Sequence, residues 1–226
     1  QDDTSTRPNH ESLKVPWQSV GAKCVVTLAA KLMLAVLPPQ TTFFKLQMRE
    51  DKLGEEFTPE IRSELDLSFS KMERMIMDYI AATNDRVVIH QALKHLIAGG
   101  NSLIYMHKQG LKNYPLTRYV VNRDGNGNVL EIVTKELISR KVLEFEIPDP
   151  VPNTGIDESK NKDKDDVEVF TYVKLIDGQW VWHQEAFDKI LPGSRSTAPK
   201  NASPWLPRRF NVVDGEDYGR GRVEEF

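Results

Sequence analysis

The stretch NDRVVIHQALKHLIAGGNSLIYMH, residues 84–107, contains the change from helix to strand that decides the fold class. Apolar pairs recur in it at the spacing of one helix face: Val88-Ile89, Ala92-Leu93 and Leu96-Ile97. Gly99-Gly100 is a typical helix end, because glycine adopts the left-handed backbone conformation there at little cost. The sequence therefore predicts a helix that begins at Asn84 or Asp85, followed by a strand from Ser102 to His107.

Two further helices are predicted before this stretch. The first opens at Pro16-Trp17, since proline suits a first turn, and ends at Pro38-Pro39. Its expected buried stripe has four-residue steps, widened by Val25 and Met33: Val20, Cys24, Leu28, Leu32 and Val36. The second opens at Thr58-Pro59-Glu60 and runs to about Ala82. Its expected buried face is made of apolar residues along one side: Ile61, Leu65, Phe69, Met72, Ile76, Tyr79 and Ile80.

Two β-hairpins are predicted after Gly100. Arg118 to Arg123 and Asn128 to Thr134 flank the turn Asp124-Gly125-Asn126-Gly127, whose glycine and asparagine residues accept positive φ. Val167 to Ile176 and Gln179 to Gln184 flank Asp177-Gly178, and aromatic residues enrich these strands. A short strand is predicted from Lys45 to Arg49, and a short helix from Glu136 to about Val142. Pro148 to Asp166 is predicted to be a mobile surface loop, and Pro192 to Pro204 another loop. A final strand is predicted from Arg208 to Val213, and a helix is predicted to start at Tyr218.

The order of these elements indicates an α+β protein, with N-terminal helices followed by antiparallel β-hairpins. We expect an extended N-terminal arm over residues 1–15 and a helix-rich part with the first hairpin over residues 16–143. Residues 144–226 are expected to hold the second hairpin, loops and the lead-in to a further helix. Because the chain begins with Gln1 and stops at Phe226 within a helical pattern, we interpret it as part of a longer polypeptide.

The composition is that of an ordinary water-exposed domain. Thirty Lys and Arg residues oppose 33 Asp and Glu residues, which gives a net charge of −3, so the composition alone does not predict nucleic-acid binding. Cys24 is the one cysteine, which excludes an intrachain disulfide and a cysteine-based zinc site; we expect it to be a small buried apolar residue. The apolar stretch from Cys24 to Leu37 is about 14 residues long, too short to span a bilayer.

No catalytic, cofactor-binding or metal-binding residues are predicted. His90 and His95 lie five residues apart, which points them away from a common metal. The acidic tract with Asp163, Asp165 and Asp166 lacks the glycine and the final glutamate of a calcium loop, and its lysines favour a solvated loop. Gly125-Asn126-Gly127 lacks the Lys-Ser/Thr pair of a phosphate loop, and Gly219-Arg220-Gly221-Arg222 is equally explained by contact with phosphate or by a turn into a helix.

Several blocks of the sequence resemble the portal (head-to-tail connecting) proteins of T7-like short-tailed bacteriophages. They occur in the family's order and extend over nearly the whole chain from about residue 16. These blocks are Pro16 to Lys23 with Leu28 to Pro38, Met72 to Ile80, Ala92 to Lys94 with Gly99 to Asn101, Tyr119 to Asp124 with Gly127 to Leu130, and Asp214 to Arg220. Residues 148–166 and 185–204 match the family poorly.

The resemblance implies a structural subunit of a ring of about twelve copies at one vertex of the phage head. Such a ring would contact the major capsid protein, a tail adaptor and the packaging motor (terminase), and double-stranded DNA would pass through it. The resemblance also implies assembly in the bacterial cytoplasm and a place in the virion, with no membrane contact. The family's proteins continue into stem helices, clip and crown, so this chain would form the N-terminal, wing-side half, ending at the start of a stem helix.

Other interpretations remain open from the sequence. The chain could be another phage head-tail adaptor or assembly protein, or a nucleic-acid-processing or hydrolytic enzyme that uses His90, His95 or the acidic tract; loss of a catalytic rate on His95→Ala would favour the enzyme. A soluble α+β domain of unknown use is the third interpretation. Within the portal hypothesis, subunit contacts are expected on exposed parts of the first two helices and on the hairpin around Trp180 and Trp182, whose side chains could instead belong to the core.

Overall fold

The computed structural model describes residues 19–39, 41–48, 58–139 and 166–225. Its helices are α1 (Val20–Val36), α2 (Pro59–Ala82), α3 (Asp85–Gly99) and the short α4 (Arg222–Glu225). Its strands are β1 (Asn101–His107), β2 (Gly110–Tyr114), β3 (Tyr119–Arg123), β4 (Val129–Ser139), β5 (Asp166–Ile176), β6 (Gln179–Ala186), β7 (Lys189–Ile190), β8 (Ser196–Pro199) and β9 (Trp205–Arg209). The predicted α+β class is therefore confirmed.

The strands of the described ranges form two antiparallel sheets. The smaller sheet has the order β2-β1-β9, so that the first and last strands of the domain are neighbours. The larger sheet has the order β3-β4-β5-β6-β7, and β8 also pairs with β6. Strand β4 pairs with β5 from Glu131 to Ser139, which joins the two parts of the chain that lie on either side of residues 140–165.

The main core lies between the two sheets. Leu103, Tyr114 and Trp205 enter it from the smaller sheet, and the larger sheet contributes five more buried side chains: Tyr119, Val121, Ile132, Val173 and Trp180. A second cluster, formed by Val167, Val169, Ala186 and Leu191, lies further along the larger sheet. Burial of these aromatic and branched side chains is the main stabilisation of the domain.

Helix α3 connects the helices to the smaller sheet. It packs against β1 and β2, and both α1 and α2 pack against it. The Asp85 carboxylate at its start accepts the backbone N–H of Leu111 in β2 at 2.8 Å. The Arg86 guanidinium donates to the backbone carbonyl of Leu37, at the end of α1, at 2.7 Å. The first bond joins the start of α3 to the smaller sheet, and the second joins it to the end of α1.

The three predicted N-terminal helices and the two predicted hairpins are confirmed where the structure describes them. Helix α3 begins at Asp85, and Gly100 follows it with φ 71°, in the left-handed conformation expected from the Gly-Gly pair. Strands β3 and β4 form the first predicted hairpin, and β5 and β6 form the second. At the second turn Asp177 and Gly178 have φ of 48° and 76°, as a two-residue hairpin of the favoured twist requires.

Several segment predictions are wrong. Glu136 to Ser139 continue β4 instead of starting a helix, because their backbone groups pair with β5. Residues 45–48 form no strand. The loop from Pro192 to Pro204 contains β8 and a single 3₁₀ turn at Lys200–Ala202, and the final strand spans Trp205–Arg209 instead of Arg208–Val213. Strand β2 was not predicted, and it pairs with β1 through a tight turn.

Some predictions fall on residues outside the described ranges. They are the arm over residues 1–15, the helix start at Pro16-Trp17, Arg49, the last part of the helix predicted from Glu136 to Val142, and the loop from Pro148 as far as residue 165.

Candidate interaction surfaces

Helix α1 exposes much of its apolar surface. The side chains of Val20 and Leu34 are each 60% exposed, and Cys24 and Leu28 are exposed as well. The prediction that Cys24 is buried is therefore wrong. The reason is geometric: residues four apart in an α-helix differ by about 40° around its axis, so a stripe with four-residue steps turns away from the partner helix. Ala29 is fully buried, and it marks the face that packs against the rest of the domain.

Helix α2 is even less covered, and none of its residues is buried. The predicted buried face of α2 is wrong for most of its members, since only Leu65, Phe69 and Ile80 are partly covered. Five exposed apolar side chains form a stripe along the helix, Ile61 near its start and Met72, Met75, Ile76 and Tyr79 in its second half, whereas exposed Leu67 lies on another face. Met75 is 70% exposed. An exposed apolar stripe of this kind is a candidate contact surface.

The charges on the two helices differ in sign. Lys23 and Lys31 are the charged residues of α1, and both are exposed. Helix α2 carries five acidic and three basic residues, and its exposed acids include Glu60, Glu64 and Asp78. Helix geometry places these three acids along one flank of the apolar stripe, together with Lys71. The two helices therefore present apolar surfaces with opposite net charge.

A third feature is the junction between the end of α3 and the segment before α4, which we call the exit junction (Gly99–Asn101 and Gly219–Gly221). The Asn101 amide donates to the carbonyl of Gly219 at 2.7 Å and accepts its N–H at 2.8 Å. A Cβ on Gly100 would overlap the backbone of Arg220 and Gly221, so the two chain segments touch without side chains between them. This close approach is the physical reason for the glycines on both sides of the junction.

Arg123 and its partners tie the first hairpin to the exit junction. Its guanidinium donates to the carbonyls of Asp217, Gly127 and Pro207 at 3.0, 2.9 and 3.2 Å. Its backbone N–H donates to the Asp217 carboxylate at 2.7 Å. Tyr218 extends the same contact, since its hydroxyl accepts the backbone N–H of Val121 at 3.1 Å. The hairpin, β9 and the segment that leads to α4 are thereby held as one unit.

A polar cleft of about 620 Å³ opens beside the core, between the two sheets. Tyr105 and Trp205 stack along its wall with ring centroids 4.0 Å apart, and Trp182 meets Trp205 edge-on. Glu136 accepts the Tyr114 hydroxyl at 2.8 Å and pairs with Lys112. Burial, and then the charge of Glu136, raise the pKa of Tyr114. The Glu136 carboxylate is therefore paired with Tyr114 and Lys112, and this contact connects the two sheets.

The structure does not bring the histidines that sequence analysis considered into a common site. The Asn113 amide donates to Nδ1 of His95 at 3.0 Å, which holds the imidazole against β2. His107 accepts the backbone N–H of Gln109 through Nδ1 at 2.9 Å, in the turn after β1. Within the described ranges no group of three His, Cys, Asp or Glu side chains is placed to hold a metal ion. Trp180 is buried in the core and Trp182 packs against it, so their surface role is not supported.

The described helices include none that is long and apolar enough to cross a membrane. The chain belongs to the bacteriophage head to tail connecting protein family, whose model matches residues 1–226.

Individual relatives agree with the family. The chain is 37% identical over 219 residues to the portal protein of Enterobacteria phage T3, which covers 93% of this chain and 40% of that protein. It is 36% identical over 222 residues to the portal protein of Escherichia phage T7, covering 94% of this chain and 41% of the relative. The portal protein of Enterobacteria phage SP6 is 29% identical over 229 residues, covering 98% and 43%. The chain thus spans less than half the length of the curated relatives it matches.

Proposed function

We propose that this chain is the wing-side part of a structural subunit of a phage portal ring, at the vertex where head and tail connect. The observation that carries the proposal is the match of the head to tail connecting family over the whole chain. The surfaces support it, because α1 and α2 expose apolar faces that an isolated domain would bury. In this proposal the chain has a structural role and performs no catalysis.

The proposed partners are those of a ring that DNA passes through. They are further copies of the same polypeptide, about twelve in a closed ring, together with the major capsid protein, a tail adaptor, the terminase motor and double-stranded DNA. The ring would be assembled in the bacterial cytoplasm and retained in the virion. The net charge of −3 supports a passive channel component, since each phosphate that a protein neutralises adds salt-dependent affinity and would slow the DNA.

We propose that α4 continues into a further helix and that the exit junction fixes the start of that helix relative to the sheets. We propose that residues 1–15 form an arm, that residues 16–143 and 144–226 form the wing, and that α4 leads into a stem helix. Strands β4 and β5 join the two wing parts in one sheet. Asn101 and Arg123 then hold the segment before α4 through several hydrogen bonds, which supports a fixed direction for the stem helix.

Mass measurement of the purified full-length polypeptide, combined with electron microscopy, tests this function. We expect a single assembled species of about a dozen subunits with an axial hole. A stable monomer or dimer under all assembly conditions would contradict the proposal. The fold of each preparation is checked by circular dichroism, so that a misfolded sample is not counted as a monomer.

A further inference from the structure

We infer that the outward face of α1 on one copy of the chain docks against the exposed stripe of α2 on the neighbouring copy. The inference rests on the proposed ring and names the surfaces through which two adjacent copies meet. The outward face of α1 is defined by Val20, Lys23, Cys24, Leu28, Lys31 and Leu34. The exposed stripe of α2 is defined by Ile61, Met72, Met75, Ile76 and Tyr79, with Glu60, Glu64 and Asp78 on its flank.

The two surfaces match in chemistry. Each presents large aliphatic side chains, and α2 adds two methionines and a tyrosine, which are adaptable contact residues. Burial of exposed Leu, Ile and Met side chains is favourable, so these residues give the contact its driving force. Among the described residues, the side chains of both surfaces stay largely exposed, while Ala29 marks the side of α1 that packs against α3.

The two surfaces also match in length. From Val20 to Val36, α1 has 17 residues and extends about 25 Å at 1.5 Å per residue. The stripe on α2 extends from Ile61 to Tyr79, which is about 27 Å on the same scale. Helix α2 is longer than α1, 24 residues against 17, but its stripe is similar in length to α1, so the two surfaces can pack side by side.

The charges favour contact between α1 and α2 over contact between two copies of α1. Both charged residues of α1 are lysines, so two copies of its outward face would place positive charges together. Against α2, Lys23 and Lys31 instead meet a flank on which Glu60, Glu64 and Asp78 outnumber Lys71. Opposite charges at the rim of an apolar contact give specificity and suppress the wrong pairing.

The pairing has the symmetry that a ring needs. A contact between two different surfaces leaves one of each free on every dimer, so further copies add until the chain of contacts closes. A contact between identical surfaces stops at two copies. The α1–α2 pairing therefore accounts for a closed ring in a way that an α1–α1 or α2–α2 contact does not.

Charge reversal in the full-length polypeptide tests the pairing. Lys23→Glu with Lys31→Glu, or Glu64→Lys with Asp78→Lys, is expected to raise the concentration needed for ring assembly at least tenfold. Combining the two sets restores assembly toward the unaltered level. Lys189→Glu with Lys200→Glu makes the same charge change at exposed positions on β7 and in the 3₁₀ turn after β8, and serves as the matched control. Ring assembly is measured by mass photometry across a concentration series, and thermal unfolding confirms that each variant folds.

Cross-linking provides a second test that does not depend on weakening the contact. With every other cysteine of the polypeptide replaced by serine, Cys24 together with Ile76→Cys is expected to give a ladder of covalent oligomers on oxidation, and Cys24 alone to remain uncross-linked. A covalent dimer from Cys24 alone, or no ladder from the pair, would overturn the inference. If the unaltered polypeptide forms rings while the charge reversals leave them unchanged, this inference fails and the proposed function stands; if no ring forms at all, the proposed function fails.

Discussion

At the scale of single residues, Gly100 is required at its position both by its backbone conformation and by the backbone atoms packed around it. Its φ of 71° is in the left-handed region, and an added Cβ would overlap backbone atoms of Arg220 and Gly221. Gly100→Ala is expected to lower the free energy of unfolding by about 2–5 kcal/mol, the sum of backbone strain and overpacking. Chemical denaturation monitored by tryptophan fluorescence measures the change.

The neighbouring Gly99 provides the control. It lies in the last turn of α3, and an added Cβ there would meet no atom within 4 Å. Gly99→Ala is expected to change stability by less than about 1 kcal/mol. Equal losses at the two positions would show that the close approach at the exit junction does not exist.

His95 is expected to make the free energy of unfolding depend on pH, in a direction set by the residues around it. Burial, and then the charge of Lys94, lower the pKa of His95 below 6.5, so the folded protein binds the proton less readily than the unfolded chain. The free energy of unfolding is expected to decrease as pH falls below about 6.5 and to level off below the lowered pKa. Thermal unfolding between pH 7.5 and 5 checks this.

A variant isolates the contribution of His95. His95→Gln is expected to reduce the slope of stability against pH in that range, and His90→Gln, on the same helix, is expected to keep it. An unchanged slope in His95→Gln would assign the pH dependence to other groups.

At the scale of secondary-structure elements, α1 should be held by one face alone. Ala29 is fully buried, whereas Ala30 is exposed one residue further on. Ala29→Leu is expected to cost about 1–3 kcal/mol, because the larger side chain separates α1 from α3. Ala30→Leu should leave stability nearly unchanged. Urea denaturation measures both, and a similar cost at Ala30 would show that α1 packs by another face.

Local sequence signals predict where the helices begin and end, but not which of their faces are buried. Their positions are determined by such signals, for example Pro59 at the start of α2 and Gly100 after α3, and both agree with the structure. The burial predicted on α1 and α2 was wrong for most of the residues, because apolar periodicity indicates a face that can be covered but not whether the rest of the domain covers it. Exposed Cys24 and Met72 carry the same pattern that a buried face would have.

Tertiary pairing explains the strand errors. Glu136 and its neighbours have helical propensity, yet the hydrogen bonds to β5 place them in a strand. Strand β2 was missed because its partner β1 precedes it by a short turn with no Asn-Gly or Asp-Gly signal. Both cases depend on contacts that a local window of sequence does not contain.

At the scale of the whole molecule, the exit junction gathers residues that are distant in sequence. Three of the blocks that resemble the portal family meet there: Gly99 to Asn101, Tyr119 to Asp124, and Asp214 to Arg220. Nothing in the spacing of these blocks predicts that they touch. The chemistry supplies the reason, since the buried Asn101 amide and the partly buried Arg123 guanidinium need hydrogen-bond partners from elsewhere in the chain.

Arg123 is expected to be the most sensitive side chain of this junction. Arg123→Met removes the donor from three backbone carbonyls and should cost about 1–3 kcal/mol. Exposed Arg208 on β9 is the matched control, and Arg208→Met should have little effect. Hydrogen exchange of residues 214–221 is expected to accelerate in Arg123→Met and to stay slow in Arg208→Met. Slow exchange in both would show that Arg123 does not hold the segment.

The central claim is that this domain forms the outer part of a ring whose copies contact one another through α1 and α2. Electron cryo-microscopy of the assembled full-length polypeptide measures this directly. We predict a closed ring of about a dozen copies, with this domain away from the axial channel and α1 of each copy against α2 of the next. Density that places this domain around the channel, or that leaves α1 and α2 both facing solvent in the closed ring, would contradict the account.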